Sequence, residues 1–252
     1  IARLVGSEMC IRDSDYFIEH DTDIIDIGGE STRPGSEPVT LEDEWRRVKD
    51  ALAIASKHPE ILVSIDTQKA EIARRALAEG ADIVNDVSGL RDPQMPSVVA
   101  KAQCPTIVMH MRGSPKTMQQ GEITYDDVCT DIAESLKQSI ERAQRAGLAA
   151  EKLIVDPGIG FGKTLEHNLV LTRQLHHFHA LGTPVLYGPS RKRFLGELTG
   201  KEAHERDIAT AAVIALGIEF GADIVRIHDP AICGDAVKVA RALAALGGSL
   251  PT

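Results

Sequence analysis

Seven short β-rich runs in this 252-residue chain each lead into polar or glycine-rich residues. The endings are Gly28-Gly29-Glu30-Ser31-Thr32-Arg33-Pro34-Gly35, Ser64-Ile65-Asp66-Thr67, Asn85-Asp86, Met109-His110-Met111-Arg112-Gly113, Asp156-Pro157-Gly158-Ile159-Gly160-Phe161-Gly162-Lys163, Gly188-Pro189-Ser190-Arg191-Lys192-Arg193 and Arg226-Ile227-His228-Asp229-Pro230. Asp66, Asn85, Asp156 and Lys192 supply acceptors, an amide and a cation, a set suited to the hydrogen-bonding edge of a flat heterocycle. Arg33, Arg226 and His228 supply the positive charge a pyrophosphate needs. Phe161 and Pro34 suit an apolar slot for a second, aromatic reactant. The glycines at 158, 160 and 162 let the backbone approach a ligand closely.

Taken singly, these features have plainer readings. Asp66 before Thr67 fits a turn, Arg191-Lys192-Arg193 fits a solvated charge run, and a glycine-rich stretch alone is a weak phosphate signal. His228 fits a satisfied buried histidine, and His110 reads as a structural strand residue. His176, His177 and His179 lack a cysteine or carboxylate at metal-binding spacing. Recurrence at seven strand ends is what favours a site.

The elements that must position these residues alternate strand and helix. The strand runs are Asp23–Gly28, Ile61–Asp66, Asp82–Val87, Thr106–Met111, Leu153–Asp156, Val185–Tyr187 and Ile224–His228. Several are near-continuously apolar, as expected of a parallel sheet covered by helices on its faces. Thr40 is placed to cap a helix from Leu41, and Thr67 one from Gln68 to Glu79 with Gly80 ending it. Asp127–Ala146 and Asp207–Phe220 read as further helices. Gly80-Ala81-Asp82-Ile83-Val84 recurs as Gly221-Ala222-Asp223-Ile224-Val225, each joining a helix stop to a strand. Repeated βα units with no linker and no Gly-x-Gly-x-x-Gly fingerprint point to one α/β domain, a (β/α)8 TIM barrel, with an open doubly wound sheet as the alternative. The barrel's strand ends meet on one face.

Composition narrows the class. The net charge of −9 argues against a general nucleic-acid partner. No apolar run reaches the roughly 20 residues a bilayer requires, so no membrane partner is expected. Cys10, Cys104, Cys129 and Cys233 are scattered, which suits a reducing cytosol and neither a disulfide framework nor a zinc site.

Together, in order over roughly residues 16–245, these motifs resemble the dihydropteroate synthase family of pterin-binding barrels. The resemblance implies a folate-pathway transferase in which p-aminobenzoate attacks a dihydropterin methyl diphosphate, giving 7,8-dihydropteroate and diphosphate. It implies Mg²⁺ as cofactor, a cytoplasmic location and a homodimer. Carried over, Asp66, Asn85, Asp156 and Lys192 bind the pterin, and Arg33, Arg226 and His228 hold the diphosphate. Thr32, Pro34, Phe161, Ser190 and Lys192 form the p-aminobenzoate site. Asp66, Lys192 and Arg33 carry the catalytic roles.

One departure stands out. The family's opening Asn-Val-Thr-Pro-Asp-Ser-Phe run, whose Asn is the implied Mg²⁺ ligand, is not found here. Residues 1–14 are therefore expected to be a non-native segment ahead of a pterin-binding domain at 15–252, with the barrel's first strand and loop missing. Asp15–His20 is expected to retain the end of the first helix. Losing a strand with three or four large apolar side chains would cost roughly 5–10 kcal/mol and bare two sheet edges. The rival functions are a pterin-binding protein with little catalysis and a pterin-dependent methyltransferase.

Overall fold

The computed structural model describes residues 1–5, 16–17, 19–33 and 35–246. Eight parallel strands form its inner layer: β1 Ala2–Val5, β2 Ile24–Gly28, β3 Leu62–Asp66, β4 Ile83–Asp86, β5 Thr106–Met109, β6 Leu153–Asp156, β7 Leu186–Tyr187 and β8 Ile224–Val225. The first six pair in sequence order, and β7 pairs with β8. A parallel bridge between Val155 and Val185 joins β6 to β7. Ile227 N donates to Ile1 O at 2.9 Å and Ile1 N to Val225 O at 2.9 Å, which joins β8 to β1 and closes the ring.

The slot expected to be empty is thus filled. Ala2–Val5 pairs with β2 from Ala2 opposite Ile25 to Val5 opposite Gly28. Four residues suffice to satisfy the exposed side of β2, and Ile1 satisfies β8, so the expectation of two bare edges is overturned. Residues 6–14, and with them most of the segment expected to be non-native, lie outside the described residues. Of the stretch expected to end the first helix, Phe17 is in the core and Tyr16 Oη donates to Asp229 at 2.9 Å.

Outside the strands run α1 Leu41–Ala55, α2 Ala70–Ala78, α3 Met95–Ala102, α4 Val128–Arg145, α5 Leu165–Arg173, α6 Arg193–Thr199, α7 Asp207–Glu219 and α8 Pro230–Ala244. Thr40 caps α1 as expected, accepting from Asp43 N at 3.1 Å. Thr67 does not cap α2. Its hydroxyl donates to buried Glu44 at 2.6 Å, and the helix starts later, where Ala70 N donates to Asp92 Oδ2 at 2.9 Å. The same hydroxyl accepts from Lys69 N at 3.1 Å, ahead of the helix rather than inside its first turn.

The repeated Gly-Ala-Asp is a structural repeat. Gly80 and Gly221 both have left-handed backbones, φ +99° and +107°. Asp82 Oδ2 accepts from Val63 N at 2.8 Å, and Asp223 Oδ2 accepts from Val185 N at 2.7 Å. Each aspartate fastens its strand to the preceding one at the barrel's entry end.

Strand period does the rest, because alternate side chains face opposite sides. Outward residues such as Ile25, Ile65, Val84, Val108 and Val155 pack against the helices in the main core. Inward, Ile24, Ile83, Ile107, Ile154, Leu186 and Ile224 form an apolar plug. Two residues further along, the inward positions of β2, β4 and β6 and the residue just past β8 are polar (Asp26, Asn85, Asp156 and Arg226), and there the site begins.

Candidate active site

Arg226, just past β8, organises the ring. Its Nε donates to Asp26 Oδ2 and its Nη2 to Asp66 Oδ2, both at 2.7 Å. Asn85 Nδ2 donates to Asp26 Oδ2 at 3.2 Å. Register explains the meeting: Asp66 lies opposite Asn85 across β3 and β4, and Asp26 opposite Ser64 across β2 and β3. Asp26, Asp66 and Asn85 are all buried. Burial opposes the Arg226 charge, but Asp26 and Asp66 more than offset it and raise its pKa.

Asp156 closes the ring from β6. Burial pushes its carboxyl pKa up, against the pull of Lys192, Arg226 and Lys163. Its Oδ1 accepts from Gly158 N at 2.7 Å. The loop that follows alternates left-handed glycines, φ +71°, +81° and +70° at 158, 160 and 162. A Cβ on Gly158 would stand 1.9 Å from His110 O, so glycine is obligatory there. Lys192 Nζ donates to Ile159 O and sits 4.4 Å above the Phe161 ring, a cation–π contact. Ser190 Oγ accepts from His228 N at 3.1 Å and lies 2.9 Å from His228 Nδ1.

The structure therefore unites Asp66, Asn85, Asp156, Lys192 and Arg226, with Phe161 beside Lys192 and Ser190 beside His228. Thr32 is buried on the loop after β2. Arg33 is exposed at that loop's tip, where its amide donates to Ser31 Oγ; it is not brought into the ring. Pro34 lies outside the described residues. The loop itself crosses toward the one after β5, where Gly35 N donates to Pro115 O at 3.0 Å and Lys116 pairs with Glu37 at 2.8 Å.

Three residues carry more than the sequence reading gave them. Asp26 is the shared acceptor of Arg226 and Asn85; a lone acid in Ile-Ile-Asp-Ile-Gly, two residues before Gly28, was its signal. Lys163 is buried beside His110, with Nζ 2.9 Å from Nδ1. Burial, Lys163 and Arg91 hold the His110 pKa down at about 2, so the ring is neutral. Two clefts flank the ring without containing it, one bounded by Asp23, Val225 and Lys238, the other by Gln119, Asn168 and Phe194. Among the described residues no group of three His, Cys, Asp or Glu side chains could hold a metal ion.

A family model described as pterin binding enzyme matches residues 7–228. A dihydropteroate synthase from Synechocystis sp. is 42% identical over 235 residues, covering 92% of this chain and 81% of that protein. The crystal structure of dihydropteroate synthase from Anaplasma phagocytophilum with bound 6-hydroxymethylpterin-monophosphate is similar with a TM-score of 0.90 at 35% identity, over 96% of this chain and 97% of that one. The Xanthomonas albilineans dihydropteroate synthase with 4-aminobenzoic acid gives a TM-score of 0.88 at 34% identity, over 99% and 93%.

Proposed function

Because the chain belongs to the pterin-binding enzyme family, we propose that its charged ring reads the pterin and that the loops above it hold the two reacting partners. The chain is a transferase of folate biosynthesis. It condenses (7,8-dihydropterin-6-yl)methyl diphosphate with 4-aminobenzoate to give 7,8-dihydropteroate and diphosphate. The observation that carries the residue assignment is the convergence of Asp26, Asp66, Asn85 and Arg226 on one hydrogen-bonded cluster, with Asp156 facing it.

In this reading Asp66 and Asp156 accept from pterin N–H groups, and Asn85 and Lys192 complete the edge. Arg226 spends Nε and Nη2 donors on carboxylates, and a guanidinium has five N–H groups, so donors remain for the diphosphate. His228 and the exposed cation Arg33 add charge to the leaving group. Departure of diphosphate leaves a cationic exocyclic carbon, which the pterin ring and the Asp66 carboxylate stabilise. The aromatic amine is already a nucleophile, so no triad is required. Its slot is assigned to Thr32, Pro34, Phe161, Ser190 and Lys192.

Mg²⁺ is proposed as a companion of the diphosphate. The described residues do not build an all-protein cage for it, and Asp26 and Asp66 are committed to Arg226. An ion of this kind is commonly held by substrate phosphates with one or two carboxylates. No step is derived through it.

A homodimer is proposed from α7 and α8, which pack together and leave Ile208, Leu216, Ile232, Val239 and Leu243 exposed. Five exposed large apolar side chains on two packed helices fit a second copy of the chain. Leu216→Glu with Val239→Glu should halve the mass seen by light scattering; an unchanged mass would refute that assignment. A cytoplasmic location is proposed from the buried free thiols of Cys104, Cys129 and Cys233. Among the described residues no helix is long and apolar enough to cross a membrane.

The test of the function is diphosphate release with both substrates present. Release should require 4-aminobenzoate and rise with added Mg²⁺. Equal release without the amine would contradict condensation.

A further inference from the structure

Four consecutive carbonyls in the loop after β6 each accept from a different side chain. Ile159 O accepts from Lys192 Nζ, Gly160 O from Gln119 Nε2 at 3.1 Å, Phe161 O from Lys163 Nζ at 3.1 Å, and Gly162 O from Tyr125 Oη at 2.9 Å. The left-handed glycines between them make the loop intrinsically free, so these donors fix its shape. Phe161 sits between two of them. Lys192 lies over its ring, and Lys163 donates to its carbonyl.

Lys163 is the unusual member. Its side chain is buried, with 4% of the residue exposed, and among the described residues its Nζ bonds the Phe161 carbonyl and His110 Nδ1. Donation to Nδ1 places the His110 proton on Nε2, the neutral tautomer. Burying an ammonium without a carboxylate hydrogen-bond partner is costly, and burial accordingly drives the Lys163 pKa well below its ordinary value. The Asp156 carboxylate offsets only part of that cost, and what the buried group holds in place is the Phe161 carbonyl.

We propose that Lys163 is a positioning residue for the aromatic amine: braced by His110, it fixes the Phe161 carbonyl and thereby the angle of the Phe161 ring in the 4-aminobenzoate slot. The inference rests on the assignment of Phe161 to that slot. It gives Lys163 no contact with the pterin and no part in proton transfer.

The experiment is a double-mutant cycle on steady-state kinetics with Lys163→Met, Phe161→Ala and the pair. Lys163→Met should raise KM for 4-aminobenzoate about tenfold and leave KM for the pterin diphosphate within about twofold. In the Phe161→Ala background the same change should add less than about twofold, because the group it positions is gone. A residue that merely stabilises the fold would act equally in both backgrounds. Additive effects, or an equal rise in both KM values, would overturn the proposal while leaving the assignment of Phe161 intact. If Phe161→Ala alone leaves the 4-aminobenzoate KM unchanged, the assignment of the slot fails and the proposal fails with it. Should Lys163→Met not fold, Lys163→Gln, which keeps a donor without the charge, carries the cycle with a smaller rise expected.

Discussion

The lower ring of the barrel interior is Ile24, Ile83, Ile107, Ile154, Leu186 and Ile224; two residues further on the same strands stand Asp26, Asn85, Met109, Asp156, Gly188 and Arg226. The backbone treats the two rings alike, since a strand's side chains repeat every second residue. Their energetics are opposite. The lower ring gains from every square ångström of apolar surface removed from water. In the upper ring burial works against the charge of Arg226 and Asp156, and Arg226 is held there by the carboxylates of Asp26 and Asp66. Stability and charge are thus stacked along one axis, with the apolar ring below and the paired charges above.

The contrast can be broken most forcefully from above. Asp156→Ala should lower the rate of diphosphate release about a thousandfold. It should leave the thermal midpoint unchanged or raised, because burial already disfavours the Asp156 charge. Release assays and scanning calorimetry check both halves, and a joint collapse of activity and folding would erase the distinction between rings. From below, Ile107→Ala should cost about 2–5 kcal/mol in urea unfolding through the cavity it leaves. KM for both substrates should hold wherever the variant remains folded.

Asp26→Asn probes the seam. It weakens a charge-assisted bond to Arg226, so a stability loss of about 1.5–3 kcal/mol is expected together with weaker pterin binding. A change in only one of these would assign Asp26 to one ring alone.

The smallest effect concerns Asp86, buried beside the ring, where its carboxylate accepts from Ser88 N and Leu90 N. Burial raises its pKa from 3.8 to about 6. The folded state then holds a proton that the unfolded state has lost, so the contribution of Asp86 to stability falls as pH rises from 3.8 to about 6. Asp86→Asn should flatten that part of the stability profile in urea titrations at successive pH values; an unchanged slope would place the titration elsewhere.

Much of the barrel was legible because its strands carry the Ile and Val runs of a sheet covered on both faces, and the seven runs overlap β2 to β8, overrunning β5 by two residues and β8 by three. The polar tips were legible for the same reason, as interruptions of those runs. Thr67 misled because the helix starts three residues later, at Ala70, whose amide is taken by the distant Asp92, which no local pattern announces. Ala2–Val5 was not read as the barrel's first strand because four residues carry too little periodicity to decide it. Asp26 and Lys163 were visible as residues but not as partners: Arg226 lies 200 positions from Asp26, and His110 lies 53 from Lys163. Long-range pairing is what the fold adds to the sequence.

Titration calorimetry with a dihydropterin that lacks the diphosphate leaving group addresses the upper ring alone. Wild-type protein should bind one molecule per chain, Asp156→Ala should lose about a hundredfold or more in affinity, and the conservative lower-ring change Ile107→Val should stay within about twofold. Equal affinity in all three proteins would contradict the claim that Asp66, Asn85, Asp156 and Arg226 form one pterin-reading surface.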